Sequence, residues 1–141
     1  MVDEETVEIK VVDTWSIEEI VSLYQEGNWW EQGSDTSFIP KLIKQSFVFV
    51  VAVDISSGKA IGMGRVLSDG VSDAYIQDVV VSKKWRGHGV GRLIIEKLVS
   101  YCLSQNVSWI ALISEPGQEG FYIPLGFTEM KRHTPFKYGT V

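Results

Sequence analysis

Apolar and polar positions change period several times along the chain, and each change predicts an element. Residues 7–13, VEIKVVD, alternate as a strand does. The following WSIEEIVSLYQEG puts Ile17, Ile20, Val21 and Tyr24 on one helical face before a glycine stop. Residues 28–38, NWWEQGSDTSF, are polar apart from their aromatics and read as a loop, and IPKLIKQS then predicts a short helix opening near its proline. Three runs rich in β-branched and aromatic residues follow at 47–54, 59–69 and 73–81, joined by short turns such as ISSG. Strands so closely spaced predict an antiparallel meander. In RLIIEKLVSYCLSQN, Leu93, Ile94, Lys97, Leu98, Tyr101 and Cys102 recur every three or four residues, the mark of an amphipathic helix. VSWIALI, residues 107–113, is a continuous apolar run of strand length. GQEGFYIPLG predicts a short helix or turn, and FTEM and FKYGTV two final short strands. With no repeat, linker or low-complexity segment, the pattern predicts one α+β domain over residues 1–141 with a mixed, mostly antiparallel sheet.

Composition narrows the class. The 141 residues are 45% hydrophobic and 22% charged, as expected of a single globular domain. There is no apolar run of the roughly eighteen residues a membrane span needs. The acidic opening MVDEETVEIK lacks the basic-then-apolar order of a signal peptide. A soluble, cytoplasmic protein with no membrane partner is expected. A net charge of -5 argues against the broad basic surface that nucleic acid requires. The single cysteine, Cys102, cannot form an internal disulfide, and on its helix face it reads as small core filler rather than a nucleophile. His88 and His133 stand far apart with no partner cysteine, so no metal is expected.

Against that acidic background, residues 83–93, KKWRGHGVGRL, stand out. Glycine at every second position costs about 0.5–1 kcal/mol each relative to alanine in a regular element, so these glycines need a reason. The stretch joins an apolar strand to an amphipathic helix. The first turn of a helix carries amide donors without partners and a partial positive charge, and glycines let an anion approach them. Arg86 and Arg92 add charge, and a diphosphate fits better than a single carboxylate. The bland alternative is a helix start with glycines for close packing. Gly87, Gly89 and Gly91 are spaced G-x-G-x-G, which fails the dinucleotide fingerprint G-x-G-x-x-G, and the lysines precede the glycines, which fails the P-loop.

What does fit is [R/Q]-x-x-G-x-[G/A], met by Arg86, Gly89 and Gly91, with FYIPLGF about thirty residues downstream. Together, in order, these resemble the coenzyme loop and the F-Y-x-x-x-G-F element of the GCN5-related N-acetyltransferase (GNAT) family, and the similarity of element order covers nearly the whole chain. The resemblance implies a twisted sheet of six to seven strands flanked by about four helices, with the fourth and fifth strands splayed apart. It implies an acetyl-CoA-dependent N-acetyltransferase. The pyrophosphate of acetyl-CoA would lie on the backbone of Arg86, Gly87, His88, Gly89, Val90 and Gly91, and the pantetheine arm along Val79, Val80 and Val81. An amide near Val79 or Val80 would receive the oxyanion.

Acetyl transfer to an amine needs an uncharged nitrogen, a stabilised oxyanion and a proton for the departing thiolate. With a pKa near 10, about one primary amine in a thousand is ready to attack at neutral pH, so a base or water relay helps. The resemblance makes Tyr122 the proton donor and a coenzyme contact, with Phe121 and Phe127 as core anchors. Asp78 interrupts an otherwise apolar strand, where an acid is costly unless used or paired. It reads either as a group that orients or deprotonates the amine, similar to IEDVVV-type strands in glucosamine-6-phosphate N-acetyltransferases, or as a structural hydrogen-bond acceptor. Glu115 stands where many relatives carry an asparagine, which makes it a second candidate base. The acid that ribosomal-protein acetyltransferases carry on the fifth strand falls at Ile110 here, which argues against a protein N-terminus as substrate. Trp29 and Trp30 either staple their loop or wall an acceptor pocket. The acceptor expected is a small primary amine of the amino-sugar, polyamine or arylalkylamine type. Protein lysine acetylation and a non-catalytic coenzyme-binding role are the alternatives. FKYGTV offers a strand for pairing across a homodimer.

Overall fold

A computed structural model describes residues 1–141. Five strands, β1 (Val7–Val11), β2 (Val48–Asp54), β3 (Lys59–Ser68), β4 (Asp73–Val81) and β5 (Trp109–Ala111), form one sheet in that order. The first three pairings are antiparallel; β4 and β5 are parallel. Helices α1 (Ile17–Glu26) and α2 (Ile39–Gln45) pack with one face of the sheet, and α3 (Val90–Ser104), the crossover from β4 to β5, covers the other. A four-residue helix α4 (Glu119–Tyr122) follows β5. No helix is long and apolar enough to cross a membrane.

Strand alternation explains the two cores. In β2, Val48, Val50 and Ala52 face Ile94, Leu98 and Cys102 of α3, whereas Phe49, Val51 and Val53 face Ile20, Leu23 and Tyr24 of α1 with Ile39 and Ile43 of α2. A strand covered on both sides reads as an unbroken apolar run, as VFVVAV does. α3 lies close to the sheet because β3 offers it Gly62 and Gly64. A Cβ on either would come within 2.9 Å of Ile94. Cys102 is fully buried in this core, and burial raises its thiol pKa, so it is filler.

Several expectations are corrected. The sheet has five strands, not six to seven. FTEM and FKYGTV form no strand, because β5 presents only three paired residues and the segment gains no burial: Phe136, Tyr138 and Val141 are fully open to solvent. β5 is shorter than residues 107–113 because β4 diverges from it after Ala111. The buried face of α3 is turned from the one expected. Val90 and Ile95 are buried, Lys97 is exposed, and the helix starts two residues before Arg92. In α1 the buried face is Ile20, Leu23 and Tyr24, with Ile17 exposed.

Candidate active site

The centre of the site is an irregularity in β4. Its pairing with β3 runs evenly from Ser68 with Ala74 to Arg65 with Gln77, then resumes at Met63 with Val80. Gly64 therefore faces both Asp78 and Val79, a β-bulge. Asp78 takes up the extra residue with φ 59°. That left-handed conformation costs most L-residues about 1–2 kcal/mol, less for aspartate, whose short polar side chain bonds nearby. Beyond the bulge, Ser82 N–H donates to Ile61 O at 2.8 Å. Alternation from there turns the Val80 amide toward β3 and the amides of Val79 and Val81 away from it.

The side they turn to is open. β4 and β5 pair only from Asp73 with Trp109 to Tyr75 with Ala111. Past that point Ile76 to Val81 on one side and Leu112 and Ile113 on the other line a cleft of about 1060 Å³. This is the splay of the fourth and fifth strands that the sequence led us to expect.

The loop before α3 closes one end of the cleft. Gly87 and Gly89 have φ of 80° and 87°, a conformation glycine adopts at no steric cost. Nothing lies within 4 Å of where a Gly87 Cβ would be. Leu93 is the first α3 amide bonded back to the loop, to Gly89 O at 3.2 Å. The amides ahead of it form the open donor set of a helix start. This cradle of bare backbone fits a diphosphate. Gly91 has another reason to be glycine. A Cβ there would stand 3.2 Å from the Phe121 ring, so it lets the α4 element pack against α3. Arg86 lines the cleft, but its guanidinium is tied down, donating to Val81 O at 2.9 Å and Glu26 O at 3.3 Å. His88 and Arg92 fall outside the lining. His88 is exposed and its carbonyl accepts from Val2 N–H, and Arg92 pairs with Glu96.

Of the expected side chains, the fold brings Asp78, Tyr122, Glu115 and Trp29 to the cleft. Asp78 is held through one oxygen: Oδ2 accepts from Tyr24 Oη at 2.8 Å and from Arg65 Nε at 2.6 Å. Any proton acceptance therefore falls to Oδ1. Tyr122, at the end of α4, packs edge-on against Phe121 and Phe127, and burial pushes its hydroxyl above the ordinary phenol range. Glu115 lies exposed at the rim. Trp29 folds over Gly27, where a Cβ would meet its ring at 2.8 Å. Trp30 does not line the cleft; it sits between Tyr24 and Phe38, stacked on the latter at 5.7 Å, and so staples the loop. Sequence reasoning missed Tyr24 and Arg65. An arginine inside an apolar strand, one strand away from an aspartate in another, was the available signal for the second. Tyr24 looked like any core aromatic.

A model of the acetyltransferase (GNAT) family matches residues 14–127. Serotonin N-acetyltransferase 2, chloroplastic, of Oryza sativa subsp. japonica is 43% identical over 72 residues, 51% of this chain and 36% of that protein. Histone acetyltransferase TAP1 of Glycine max is 38% identical over 69 residues, 49% of this chain and 30% of that protein. The chain thus spans about a third of the length of these curated relatives. Among solved structures, a probable acetyltransferase from meticillin-resistant Staphylococcus aureus superposes with a TM-score of 0.79 at 22% identity, covering 96% of this chain and 99% of that one. At that identity the likeness speaks for the fold.

Proposed function

The chain belongs to the acetyltransferase (GNAT) family, and on that premise we propose that it transfers an acetyl group from acetyl-CoA to a small primary amine. The observation that carries the proposal is the opened edge of β4. It offers the amides of Val79 and Val81 to an extended ligand whose phosphates end on the loop from Arg86 to Gly91. The carbonyl of Val81 already accepts from Arg86, so the arm would bond Val79 and the Val81 amide. The Val79 amide, next to the bulge, suits the oxyanion, since a fixed backbone donor needs no reorganisation as charge develops. The amine nitrogen attacks the thioester carbon, the C–N bond forms and the C–S bond breaks. Tyr122, kept protonated by burial, gives its proton to the sulfur. Asp78 through Oδ1, or Glu115 from the rim, takes the proton from the amine.

For the acceptor, the arylalkylamine type is favoured by the half-exposed Trp29 ring, which lines the same cleft as Asp78 and so offers a flat apolar wall in a site that also holds an anion. The activity in the name of the rice relative points the same way. The name of the soybean relative favours a second reading, acetylation of a protein lysine. A panel of arylethylamine, polyamine, amino sugar phosphate and lysine peptide, each with acetyl-CoA and read by thiol release, separates them. Fastest turnover is expected with the arylethylamine. Saturable acetyl-CoA binding without thiol release from any amine would make the protein a non-catalytic coenzyme-binding domain. No binding at micromolar concentration would overturn the reading altogether.

A further inference from the structure

Three elements meet at a single oxygen. Tyr24 from α1 and Arg65 from β3 both donate to Asp78 Oδ2 on β4, at 2.8 and 2.6 Å, and Arg65 Nη2 also reaches Gln77 Oε1 at 3.3 Å. The Arg65 and Asp78 side chains are only 14% and 22% exposed, so water competes little for either. Both donors fall on one oxygen of the carboxylate, which leaves Oδ1 without a protein partner and holds the side chain from two sides. What they fix is the torsional state of the one non-glycine residue of the sheet with positive φ. That residue precedes the Val79 amide, and its rotation decides whether the amide faces the cleft or β3. The Tyr24 ring also packs edge-on against Trp29 at 6.4 Å, so the group that holds the bulge backs the aromatic wall as well.

We propose that Tyr24 and Arg65 are positioning residues which lock the Asp78 bulge, aiming the Val79 amide and Asp78 Oδ1 into the cleft. Neither touches the reacting atoms; both act through Asp78. The role rests on the acetyltransferase reading, but its structural half does not. Burial and the nearby Asp78 charge raise the Tyr24 pKa, which keeps it a donor across the working pH range.

The test compares Tyr24→Phe, Arg65→Gln and Arg65→Lys with the parent. A lost hydrogen bond to a charged group predicts a fall in kcat of about tenfold for Tyr24→Phe and more for Arg65→Gln, with acetyl-CoA affinity changed less than about twofold. Arg65→Lys, which keeps the charge, should restore part of the rate. A merely structural role would lower the unfolding midpoint of all three without that split or that rescue. Amide hydrogen exchange at Val80 and Ser82, the amides that face β3 just beyond the bulge, is read in parallel and should quicken about tenfold in Tyr24→Phe. If the parent releases no thiol, the acetyltransferase reading fails and the exchange result alone decides the lock. Parent-like kcat in Tyr24→Phe and Arg65→Gln, or parent-like exchange in both, would overturn the proposal.

Discussion

The two ends of the cleft are built from different materials. The end proposed for the coenzyme consists of backbone: the amides along β4, two left-handed glycines and the first turn of a fifteen-residue helix. The end proposed for the acceptor consists of side chains, Trp29 and Glu115 on loops and Asp78 on the bulge. A backbone site tolerates change in most side chains but not in the few residues that set its torsions. A side-chain site can be re-specified one residue at a time without disturbing the frame.

The sharpest way to break this comparison uses two glycines in the same conformation, one in the cradle and one outside the cleft lining. Gly89 has φ 87° and Gly33, in the loop between α1 and α2, has φ 86°. A β-branched residue at such an angle carries about 1–3 kcal/mol of strain. At Gly89 a side chain would in addition meet Met1 Cε at 2.7 Å, and torsion and contact together displace the cradle, so Gly89→Val should weaken acetyl-CoA binding by about ten- to a hundredfold. Gly33→Val bears the same torsional penalty where nothing lies within 4 Å, and should leave that affinity unchanged. Calorimetric titration of both variants checks this. Equal losses would mean that the effect is general destabilisation, not a local cradle.

The same contrast governs how much of each end was legible in the sequence. The glycine loop and the opened strand edge were readable because backbone geometry leaves a residue-type signature. Arg86, Gly89 and Gly91 follow an apolar strand and precede a helix, and the splay of β4 from β5 followed from their resemblance. Even there the glycines divide, since Gly91 also permits the approach of Phe121. Arg92 pairs with Glu96 and lies outside the cleft lining, because charge and proximity in sequence do not say which way a helix start faces. At the acceptor end, Trp29 and Trp30 are adjacent and chemically identical, yet one lines the cleft and the other stacks on Phe38. Nothing in their order distinguishes them. The clasp of Tyr24 and Arg65 on Asp78 spans 54 and 13 residues of separation, beyond any local pattern. The C-terminal strands failed for a related reason. A short run with β propensity becomes a strand only when a partner edge is long enough to hold it.

Tyr122 lies between the two ends and tests whether the chemistry, as opposed to binding, belongs to a side chain. Tyr122→Phe keeps the packing with Phe121 and Phe127 and removes only the hydroxyl. Loss of a general acid predicts a fall in kcat of about a hundredfold, with the KM for acetyl-CoA within about twofold. The pH dependence follows from burial, which raises the folded pKa of this tyrosine above its unfolded value. A raised pKa means that the acid form persists above the ordinary phenol value of about 10 and is lost only as pH climbs further. The parent rate should therefore hold into the alkaline range before it falls, and that limb should vanish in the phenylalanine variant.

The smallest effect is expected at the acceptor wall, where the tandem tryptophans supply their own control. Trp29 is 42% exposed and faces the cleft, while Trp30 is held between Tyr24 and Phe38. An aromatic face on a partly hydrated amine or ring contributes about 0.5–1 kcal/mol, so Trp29→Ala should raise the acceptor KM by about two- to fivefold and leave the KM for acetyl-CoA alone. Trp30→Ala should do the converse, lowering the unfolding midpoint with little change in either KM, because it removes a loop staple. Steady-state kinetics and thermal unfolding of the pair resolve the two roles. If Trp30→Ala shifted the acceptor KM as far as Trp29→Ala does, the wall would include both rings. The acceptor end would then be a single packed unit, and the contrast with the backbone-built coenzyme end would narrow to Glu115 and Asp78.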